Sequence, residues 1–334
     1  MPRTLVTGAT GFVGSNLVKL LRRRDWQVRC LVRDVSRARS LEEAGAELAV
    51  GSLNDADSID HAVADTDVVF HLAGRVRALR SREFAEDNIE GTQRVVEACA
   101  AQHSPPVMVF VSSIAAAGPS SPGTPHCESD PDQPVSDYGR SKLAAERALI
   151  AHAGEVPLSI VRPPIVFGPG DKASLAIFRG VKITHIHLVP GYRAFPVSVI
   201  HVADLCNAIV RIAEQGKRIT PAQQDSQGVY YVTAERSLKY GEFGKLVAQA
   251  IGCSAISLPL PKALFWLVGG TAELLGQALR SPAILGLDKI REAVAPGWEC
   301  SDEKIRRELN YQPERSLEER FAETAAWYRQ HDWL

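Results

Sequence analysis

The sequence predicts an α/β fold in which helices cover both faces of a doubly wound parallel sheet, with a smaller lobe toward the C-terminus. Apolar runs of strand length alternate with amphipathic stretches of helix length through the first half of the chain, the pattern of repeated βαβ units. Its 334 residues exceed the size of one small core. Beyond residue 163, proline and glycine pairs interrupt the periodicity and predict loops and short elements.

The elements follow from hydrophobic periodicity, taken along the chain. Apolar runs predict strands at residues 4–7, 28–32, 46–50, 68–72, 107–111 and 158–161. Amphipathic spacing predicts helices at residues 13–24, 83–102 and 138–153. Composition predicts a loop at residues 120–125, where a flexible lid would be useful.

Bulk composition excludes several classes of protein. The 38 basic and 39 acidic residues give a net charge of −1, so nucleic acid is not an expected partner. The six cysteines are scattered without a CxxC pair, which predicts reduced thiols and no metal site. The N-terminus enters a strand at once, which predicts a cytoplasmic protein. The apolar stretch 263–272 is too short to span a bilayer, which leaves peripheral contact with lipid or an apolar substrate open.

A glycine-rich turn follows the first strand. In Gly8-x-x-Gly11-x-x-Gly14, the first glycine permits a tight turn, the second lets the backbone approach phosphate, and the third lets the next helix pack on the strand. The helix N-terminus then faces a dinucleotide pyrophosphate, and this places Thr10, Phe12 and Val13 beside the cofactor. The first half of the chain is therefore predicted to be a Rossmann-type domain.

The end of the second strand bears on cofactor choice. Dinucleotide folds often carry an acidic residue there for the ribose hydroxyl, whereas this chain has Arg33 followed by Asp34. An arginine can accept a ribose phosphate, and Arg37 and Arg39 could add to the same pocket, so NADP is favoured over NAD. The alternative is that Arg33 is a solvated surface charge and Asp34 binds the ribose of NAD.

Two serines end the fifth predicted strand, and a tyrosine and a lysine begin the helix at residues 138–153. Ser112 and Ser113 stand at the strand end that faces the ligand crevice of an open α/β sheet. Tyr138 and Lys142 lie one helical turn apart, so the lysine charge is expected to lower the tyrosine pKa. Together with a dinucleotide, these residues predict hydride transfer at a carbon that bears oxygen.

These motifs resemble the extended short-chain dehydrogenases/reductases, which include the NAD-dependent epimerase/dehydratase enzymes and the dihydroflavonol and 3β-hydroxysteroid reductases. The resemblance covers residues 4 to about 205. Its motifs are the glycine turn, His71-Leu72-Ala73-Gly74, Asn88-Ile89-Glu90-Gly91-Thr92, Ser112-Ser113, Tyr138-x-x-x-Lys142, Arg162-Pro163-Pro164-Ile165-Val166-Phe167-Gly168-Pro169-Gly170 and His201-Val202-Ala203-Asp204.

The resemblance implies that Ser113, Tyr138 and Lys142 are catalytic, with Lys142 also holding the nicotinamide ribose. It further implies a Rossmann domain over residues 1–165 and a mainly substrate-binding lobe over residues 166–334, with some segments returning to the core. A homodimer through helices 83–102 and 138–153 is expected. The other cofactor-binding residues that it implies are Leu53, Leu72, Ala73, Gly74, Asn88, Ser112, Pro163 and Ile165.

Two departures distinguish this chain from that pattern. Many relatives have Gly-Asp-Leu after the third strand, with the aspartate on adenine, whereas this chain has Gly51-Ser52-Leu53. The usual Tyr-Gly after the serine pair is Ala117-Gly118, which removes an aromatic ring from the substrate pocket and indicates a bulkier or less polar substrate.

Four further features are interpreted from their local sequence. A cluster of Arg75, Arg77, Arg80 and Arg82 either binds an anionic group or is a solvated helix start. In His185-Ile186-His187, strand alternation would put both imidazoles on one face, but no third metal ligand is near, so structural or substrate-lining histidines are favoured. Asp204 is expected to cap a helix. The segment 258–267 is expected to be core, with two alternatives: it lines a crevice for an apolar substrate, or an exposed patch of it contacts lipid.

The sequence thus predicts an NAD(P)-dependent oxidoreductase that interconverts a secondary alcohol and a ketone, with Tyr138 as the general acid/base. The alternative is a nucleotide-sugar epimerase or dehydratase that passes through a transient ketone, which the arginine cluster and residues 162–205 keep open. A non-catalytic protein that senses NADP is a third hypothesis, disfavoured because Ser113, Tyr138 and Lys142 are all present. The substrate itself stays undetermined.

Overall fold

The computed structural model describes residues 1–121, 123–221, 226–279, 281, 283 and 286–334. The strands of this part of the chain are β1 (Arg3–Thr7), β2 (Gln27–Val32), β3 (Glu47–Val50), β4 (Val68–His71), β5 (Val107–Val111), β6 (Leu158–Arg162), β7 (Ile165–Phe167), β8 (Ile186–Pro190), β9 (Pro196–Val197), β10 (Val199–His201), β11 (Val229–Tyr231), β12 (Leu238–Lys239) and β13 (Ile256–Leu260).

The helices surround these strands. They are α1 (Phe12–Arg23), α2 (Arg39–Glu43), α3 (Ala56–Val63), α4 (Ser81–Phe84), α5 (Gly91–Ala100), α6 (Ile114–Ala117), α7 (Asp137–Ile150), α8 (Lys172–Thr184), α9 (Val202–Gln215), α10 (Tyr240–Ile251), α11 (Lys262–Ala278), α12 (Leu287–Ala293), α13 (Glu303–Leu309) and α14 (Leu317–Gln330). A short 3₁₀ turn spans Val35–Arg37, and a π-helical turn spans Ala85–Glu90.

A parallel sheet forms the centre of the fold. Its strand order is β11-β6-β5-β4-β1-β2-β3, and every neighbouring pair is parallel. This order contains the 3-2-1-4-5-6 arrangement of a doubly wound dinucleotide fold. The six predicted strands are confirmed to within two residues at each end. The seventh strand, β11, is only three residues long and gave no periodic signal in the sequence.

The strand register brings the carboxyl ends of the central strands to one edge. Thr7 pairs with His71, His71 with Phe110, and Val111 with Val161. The segments that follow β1, β4, β5 and β6 therefore meet at this edge, where open α/β sheets bind their ligands.

One of the three predicted helices, that at residues 83–102, is not continuous in the structure. Helices α1 and α7 match their predicted spans closely. The predicted helix 83–102 is instead divided into α4, a π-helical turn and α5. A π turn inserts an extra residue without changing the helical direction, so hydrophobic periodicity does not reveal it.

A second apolar core lies beyond the central sheet. Phe167 stacks on Phe321 with ring centroids 4.3 Å apart, and Phe243 meets Phe321 edge to face at 5.0 Å. Three two-stranded pairings accompany this core: β7 with β10, β9 with β12, and β8 with β13. The cluster brings β7 together with α10 and α14, so the C-terminal helices pack against strands near the ligand edge.

Candidate active site

The glycine turn between β1 and α1 leaves no room for side chains. Gly8 has φ +72°, and a Cβ there would lie 2.6 Å from the Ala73 nitrogen. A Cβ on Gly14 would lie 2.2 Å from the Gly8 carbonyl oxygen. The N-cap of α1 is Gly11, which has no capping side chain, so the first N–H groups of the helix are left for a ligand. This cradle fits a dinucleotide pyrophosphate.

A buried hydrogen-bond chain fixes the segment after β4 against this turn. The Thr7 hydroxyl contacts His71 Nδ1 at 2.7 Å and accepts from the Ala73 N–H at 3.2 Å. His71 Nε2 contacts the Thr92 hydroxyl at 2.9 Å. Burial, aided by the Lys142 charge, lowers the pKa of His71 to about 3, so the ring stays neutral. Residues 72–74 thereby border the groove.

Asn88 connects that segment to the helix that carries the tyrosine. On the π-helical turn, its side chain accepts from the Arg75 N–H at 2.6 Å, donates to the Arg75 carbonyl at 3.0 Å and donates to the Ser141 hydroxyl at 2.9 Å. A Cβ on Gly74 would lie 3.1 Å from Asn88 Oδ1 and 3.6 Å from Lys142 Nζ. The groove and Lys142 are therefore neighbours.

The structure brings Ser113, Tyr138 and Lys142 together at the ends of β5 and α7. The Ser113 side chain lies close enough to the Tyr138 phenol to lower its pKa, and it accepts from the Ala115 N–H at 3.1 Å. Lys142 is buried, and its Nζ donates to the Val111 carbonyl at 2.9 Å and lies 4.4 Å from the Phe110 ring centroid. One hydroxyl, one phenol and one cation thus share a crevice beside the glycine turn.

The protonation of this group differs from the sequence expectation. Burial, followed by the charge of Glu292, raises the pKa of Tyr138 well above its usual range despite the Ser113 hydrogen bond. Burial lowers the pKa of Lys142 to about 8, and Glu146 opposes that shift. The expected lowering of the tyrosine pKa by Lys142 is therefore not seen, because Lys142 is directed toward Val111 and desolvation dominates the phenol. Tyr138 is a neutral phenol over the physiological range.

Sequence reasoning missed a set of residues on α12 that cover the tyrosine. The Asp288 carboxylate accepts from the Asp137 and Tyr138 N–H groups at 2.6 and 3.2 Å. Lys289 Nζ lies 4.5 Å from the Tyr138 ring centroid and pairs with Glu292 at 2.9 Å. The only sequence signal is a charged run, Asp288-Lys289-Ile290-Arg291-Glu292, after a long apolar segment.

Comparison with known proteins agrees with this geometry. The model of the NAD dependent epimerase/dehydratase family matches residues 4–225. The chain belongs to this family. Its relatives are NAD-dependent enzymes, so the chain is an enzyme, and the family membership and enzymatic nature predicted from sequence are confirmed.

Two relatives and one solved structure illustrate the family's range. The chain is 27% identical to a ceramide reductase of Caulobacter vibrioides, with 98% of this chain and 95% of that protein covered. It is 27% identical to a UDP-glucose 4-epimerase of Vibrio cholerae, with 99% of this chain and 97% of that protein covered. The crystal structure of gox2253 superposes with a TM-score of 0.76 at 26% identity and covers all of both chains. The Rossmann-type fold is thereby confirmed.

In this family member, the end of β2 separates Arg33 from Asp34. The Asp34 carboxylate caps the 3₁₀ turn, accepting from the Ser36 N–H at 2.9 Å and from its hydroxyl at 2.6 Å, and these bonds lower the Asp34 pKa. Arg33 is exposed and makes no ion pair with another described residue. Asp34 thus holds the turn through Oδ1, and the exposed Arg33 remains available to a ligand.

The other residues predicted to bind the cofactor differ in burial and in hydrogen bonding. Ser112 Oγ is buried at the end of β5, without a hydrogen-bond partner among the described residues, and it suits a polar ligand atom. The Pro163 carbonyl accepts from the Ile114 N–H at 2.9 Å, and Ile165 starts β7 with its side chain exposed. Leu53 packs against Gly91 instead of reaching the glycine turn directly.

The arginine cluster divides into two parts. Arg75 is a structural residue, paired with Glu83 at 3.0 Å and with Asp87 at 2.7 Å. Arg77, Arg80 and Arg82 are exposed and form no ion pair within the described ranges. The cluster therefore does not act as one anion site.

Two predictions about individual residues are wrong. The N-cap of α9 is His201, whose side chain accepts from Ala203, whereas Asp204 accepts a buried pair of bonds from Arg320 at 2.6 and 2.9 Å. His185 ends α8 in a left-handed conformation at φ +56°, outside strand β8, so it does not share a strand face with His187. A search of the described residues finds no cluster of three metal-ligating side chains.

Ala117-Gly118, at the end of α6, stands where many relatives have Tyr-Gly. Gly118 has φ +97°, and a Cβ there would lie 2.1 Å from the Gln133 carbonyl oxygen, so this glycine is required by its surroundings. In the predicted loop 120–125, Ser120 donates from its N–H to the Gly297 carbonyl at 3.0 Å. Pro122 lies outside the described residues.

Proposed function

We propose that this enzyme is an NADPH-dependent reductase that converts an apolar ketone to a secondary alcohol. The observation that carries the proposal is the joining of Ser113, Tyr138 and Lys142 beside the glycine cradle, with the phenol neutral. A neutral phenol is the protonation state that gives a proton to a carbonyl oxygen.

Bound NADPH would supply the hydride that adds to the carbonyl carbon. The Ser113 hydroxyl would hold the carbonyl oxygen, and Tyr138 would transfer its phenolic proton to that oxygen as negative charge develops. The Lys142 ammonium, which donates to the Val111 carbonyl at 2.9 Å, would hold the nicotinamide ribose and would stabilise the phenolate only after turning from Val111 toward Tyr138. Asn88 and Gly74 would border the nicotinamide side of the groove.

The end of β2 supports NADP as the preferred cofactor. The two bonds from Ser36 both go to Asp34 Oδ1 and orient the carboxylate toward its own turn. Arg33 has no competing carboxylate among the described residues. A guanidinium recognises a phosphate through charge-assisted bonds, which favours the phosphorylated ribose.

Two observations support an apolar substrate. One side of the crevice beside Tyr138 is apolar, with Val76, Leu79 and Phe84, and the Phe84 ring centroid lies 6.2 Å from that of Tyr138. The other side carries the charged and polar residues Arg77, Glu273, Gln277, Asp288 and Lys289. The relative that is a ceramide reductase acts, by its name, on a lipid. We also propose that the protein is cytoplasmic and forms a homodimer through α5 and α7.

A nucleotide-sugar epimerase is the second candidate, because the UDP-glucose 4-epimerase relative matches nearly the whole chain. An epimerase regenerates its cofactor in each turnover, whereas a reductase consumes it. Purified protein is incubated with NADPH and long-chain methyl ketones or a ketosteroid, and separately with NAD and UDP-glucose, because an epimerase must first oxidise the sugar. We expect loss of NADPH absorbance with an apolar ketone. Conversion of UDP-glucose to UDP-galactose with NAD, without net formation of NADH, would instead establish the epimerase.

A further inference from the structure

Helix α11 exposes its apolar face to solvent. Its exposed stripe carries Leu264, Leu267, Val268, Leu274 and Leu275, of which Leu267, Leu274 and Leu275 are each more than 60% exposed. These positions recur at intervals of three and four residues and therefore share one helical face.

The opposite face of α11 is the one that packs on the protein. A Cβ on Gly269 would lie 2.4 Å from Ile290 Cγ1, and one on Gly276 would lie 2.8 Å from the Ser281 carbonyl oxygen. Small residues thus face inward and leucines face outward, the opposite of a helix on a water-soluble surface. The segment 258–267, expected to be core or crevice lining, is largely exposed.

The exposed stripe offers almost no polar group. Lys262 donates to the Val294 carbonyl at 2.6 Å, and Glu273 accepts from the Leu287 N–H at 2.8 Å, so both charges of α11 serve internal contacts. The Thr271 hydroxyl donates to the Leu267 carbonyl at 3.1 Å. Interfaces between proteins carry about one hydrogen bond per 100–200 Å². A surface without such groups suits hydrocarbon better than a second protein.

Unpaired positive charge lies near α11. Arg77 lines the same crevice as Glu273 and Gln277 of α11. Arg80 and Arg82 follow Arg77 within five residues of the sequence, and all three arginines are exposed without an ion pair to any residue that the structure describes. Cations next to an apolar helical stripe match the charge and depth profile of an anionic bilayer surface.

We propose that α11, together with Arg77, Arg80 and Arg82, docks this enzyme on an anionic lipid bilayer. The leucine stripe enters the boundary between headgroups and acyl chains, and the three guanidinium groups contact lipid phosphates. Among the described helices, none is long and apolar enough to cross a membrane, so the contact is peripheral.

Docking in this orientation places the catalytic crevice at the lipid surface. Helix α12 packs on α11 and also bonds the N-terminus of α7 through Asp288. An apolar ketone dissolved in the bilayer then reaches Tyr138 without crossing water, a consequence that rests on the proposed function. The docking itself is independent of that function and is measured without substrate or cofactor.

Co-sedimentation with vesicles tests the docking surface. Purified wild-type protein is mixed with vesicles of phosphatidylcholine alone or with phosphatidylglycerol, alongside a Leu267→Glu/Leu274→Glu variant and an Arg77→Gln/Arg80→Gln/Arg82→Gln variant. Val50→Glu, which changes an exposed apolar residue on β3, is the matched control. We expect wild type and the control to sediment with the anionic vesicles. We expect the leucine variant to lose at least tenfold in bound fraction, and the arginine variant to lose its preference for phosphatidylglycerol.

Three results would overturn the proposal. Wild type could remain in the supernatant with both vesicle types, or the leucine variant could bind as well as wild type. The leucine variant could also have a lower molar mass than wild type by light scattering without vesicles, which would show that a second copy covers the stripe. All the changed side chains are exposed, so each variant is expected to fold, and circular dichroism checks this.

Discussion

Arg33 and Asp34 are adjacent at the end of β2, but Asp34 is hydrogen-bonded within the protein and Arg33 is exposed. Asp34 holds the 3₁₀ turn through two bonds to Ser36, and Arg33 stands free at the edge where the adenine ribose of a dinucleotide would lie. The residue types alone left NAD and NADP open. The exposed position of Arg33, with Asp34 oriented toward the turn that follows it, supports the NADP preference proposed above.

The Arg33→Ala variant tests this preference. Losing a charge-assisted bond to a phosphate costs about 1.5–3 kcal/mol, so the Kd for NADPH should rise roughly ten- to a hundredfold. The Kd for NADH should not change. Fluorescence titration measures both constants, with the exposed and remote Arg307→Ala as control. Equal weakening of both cofactors, or of neither, would assign Arg33 to the solvated surface.

Glu292 is the charged residue that acts most directly on the tyrosine. Its carboxylate raises the pKa of Tyr138, second only to burial, while it also binds the Ser136 hydroxyl at 2.6 Å and Lys289. A raised folded-state pKa keeps the phenol protonated near neutral pH, and this is the state that can give a proton to a carbonyl oxygen.

The Glu292→Gln variant removes this charge and keeps an oxygen acceptor for Ser136. The Tyr138 pKa should fall, so oxidation of the alcohol product, which needs the phenolate, should begin at lower pH than in wild type. The pH–rate profile of alcohol oxidation measures the shift, and the exposed Glu303→Gln is the control. An unchanged profile would show that Glu292 does not influence the phenol.

At the scale of elements, helix α7 is held at both ends by long-range contacts. Asp288 of α12 accepts from its first N–H groups, and Ser136 caps it by accepting from the Gly139 N–H at 2.9 Å. Further along, buried Glu146 pairs with Arg162 at the end of β6, with Arg162 Nε to Glu146 Oε1 at 3.0 Å. These contacts position both Tyr138 and Lys142.

Removing Glu146 should destabilise the fold. In the Glu146→Ala variant, the buried Arg162 guanidinium keeps Asp132 as its one carboxylate partner among the described residues. Breaking a buried ion pair of this kind costs about 3 kcal/mol of unfolding free energy. Urea denaturation measures the free energy of unfolding, with the exposed Glu155→Ala expected within about 0.5 kcal/mol of wild type. A Glu146→Ala value within that same margin would mean that solvent or Asp132 compensates the charge.

The local elements were predictable because their signals are local. Strands β1 to β6 and helices α1 and α7 follow from periodicity, and the glycine turn follows from its spacing. The cover over Tyr138 was not predictable, because Asp288 lies 150 residues from it in sequence. The sequence favoured a core position for the start of α11, because an apolar helix normally packs inward, and left its exposure only as an alternative.

At the scale of the molecule, the core around the central sheet and the second apolar core both border the edge formed by the carboxyl ends of the strands. The parallel sheet presents the glycine cradle, Ser113 and the α7 residues at its carboxyl ends, and the C-terminal helices lay α12 over the tyrosine. The family motifs in the sequence predicted the first half of this arrangement. The second half depends on contacts among short elements such as β11 and α12, whose sequences carry no periodic signal of their own.

The measurement that tests the account most directly compares wild type with Tyr138→Phe, using NADPH and an apolar ketone that the wild type reduces. Loss of the phenolic proton donor should lower NADPH consumption by roughly 10²–10⁴-fold, while NADPH binding measured by fluorescence titration stays unchanged. A Tyr138→Phe variant that reduces the ketone as fast as wild type would contradict the assignment of Tyr138 as the proton donor.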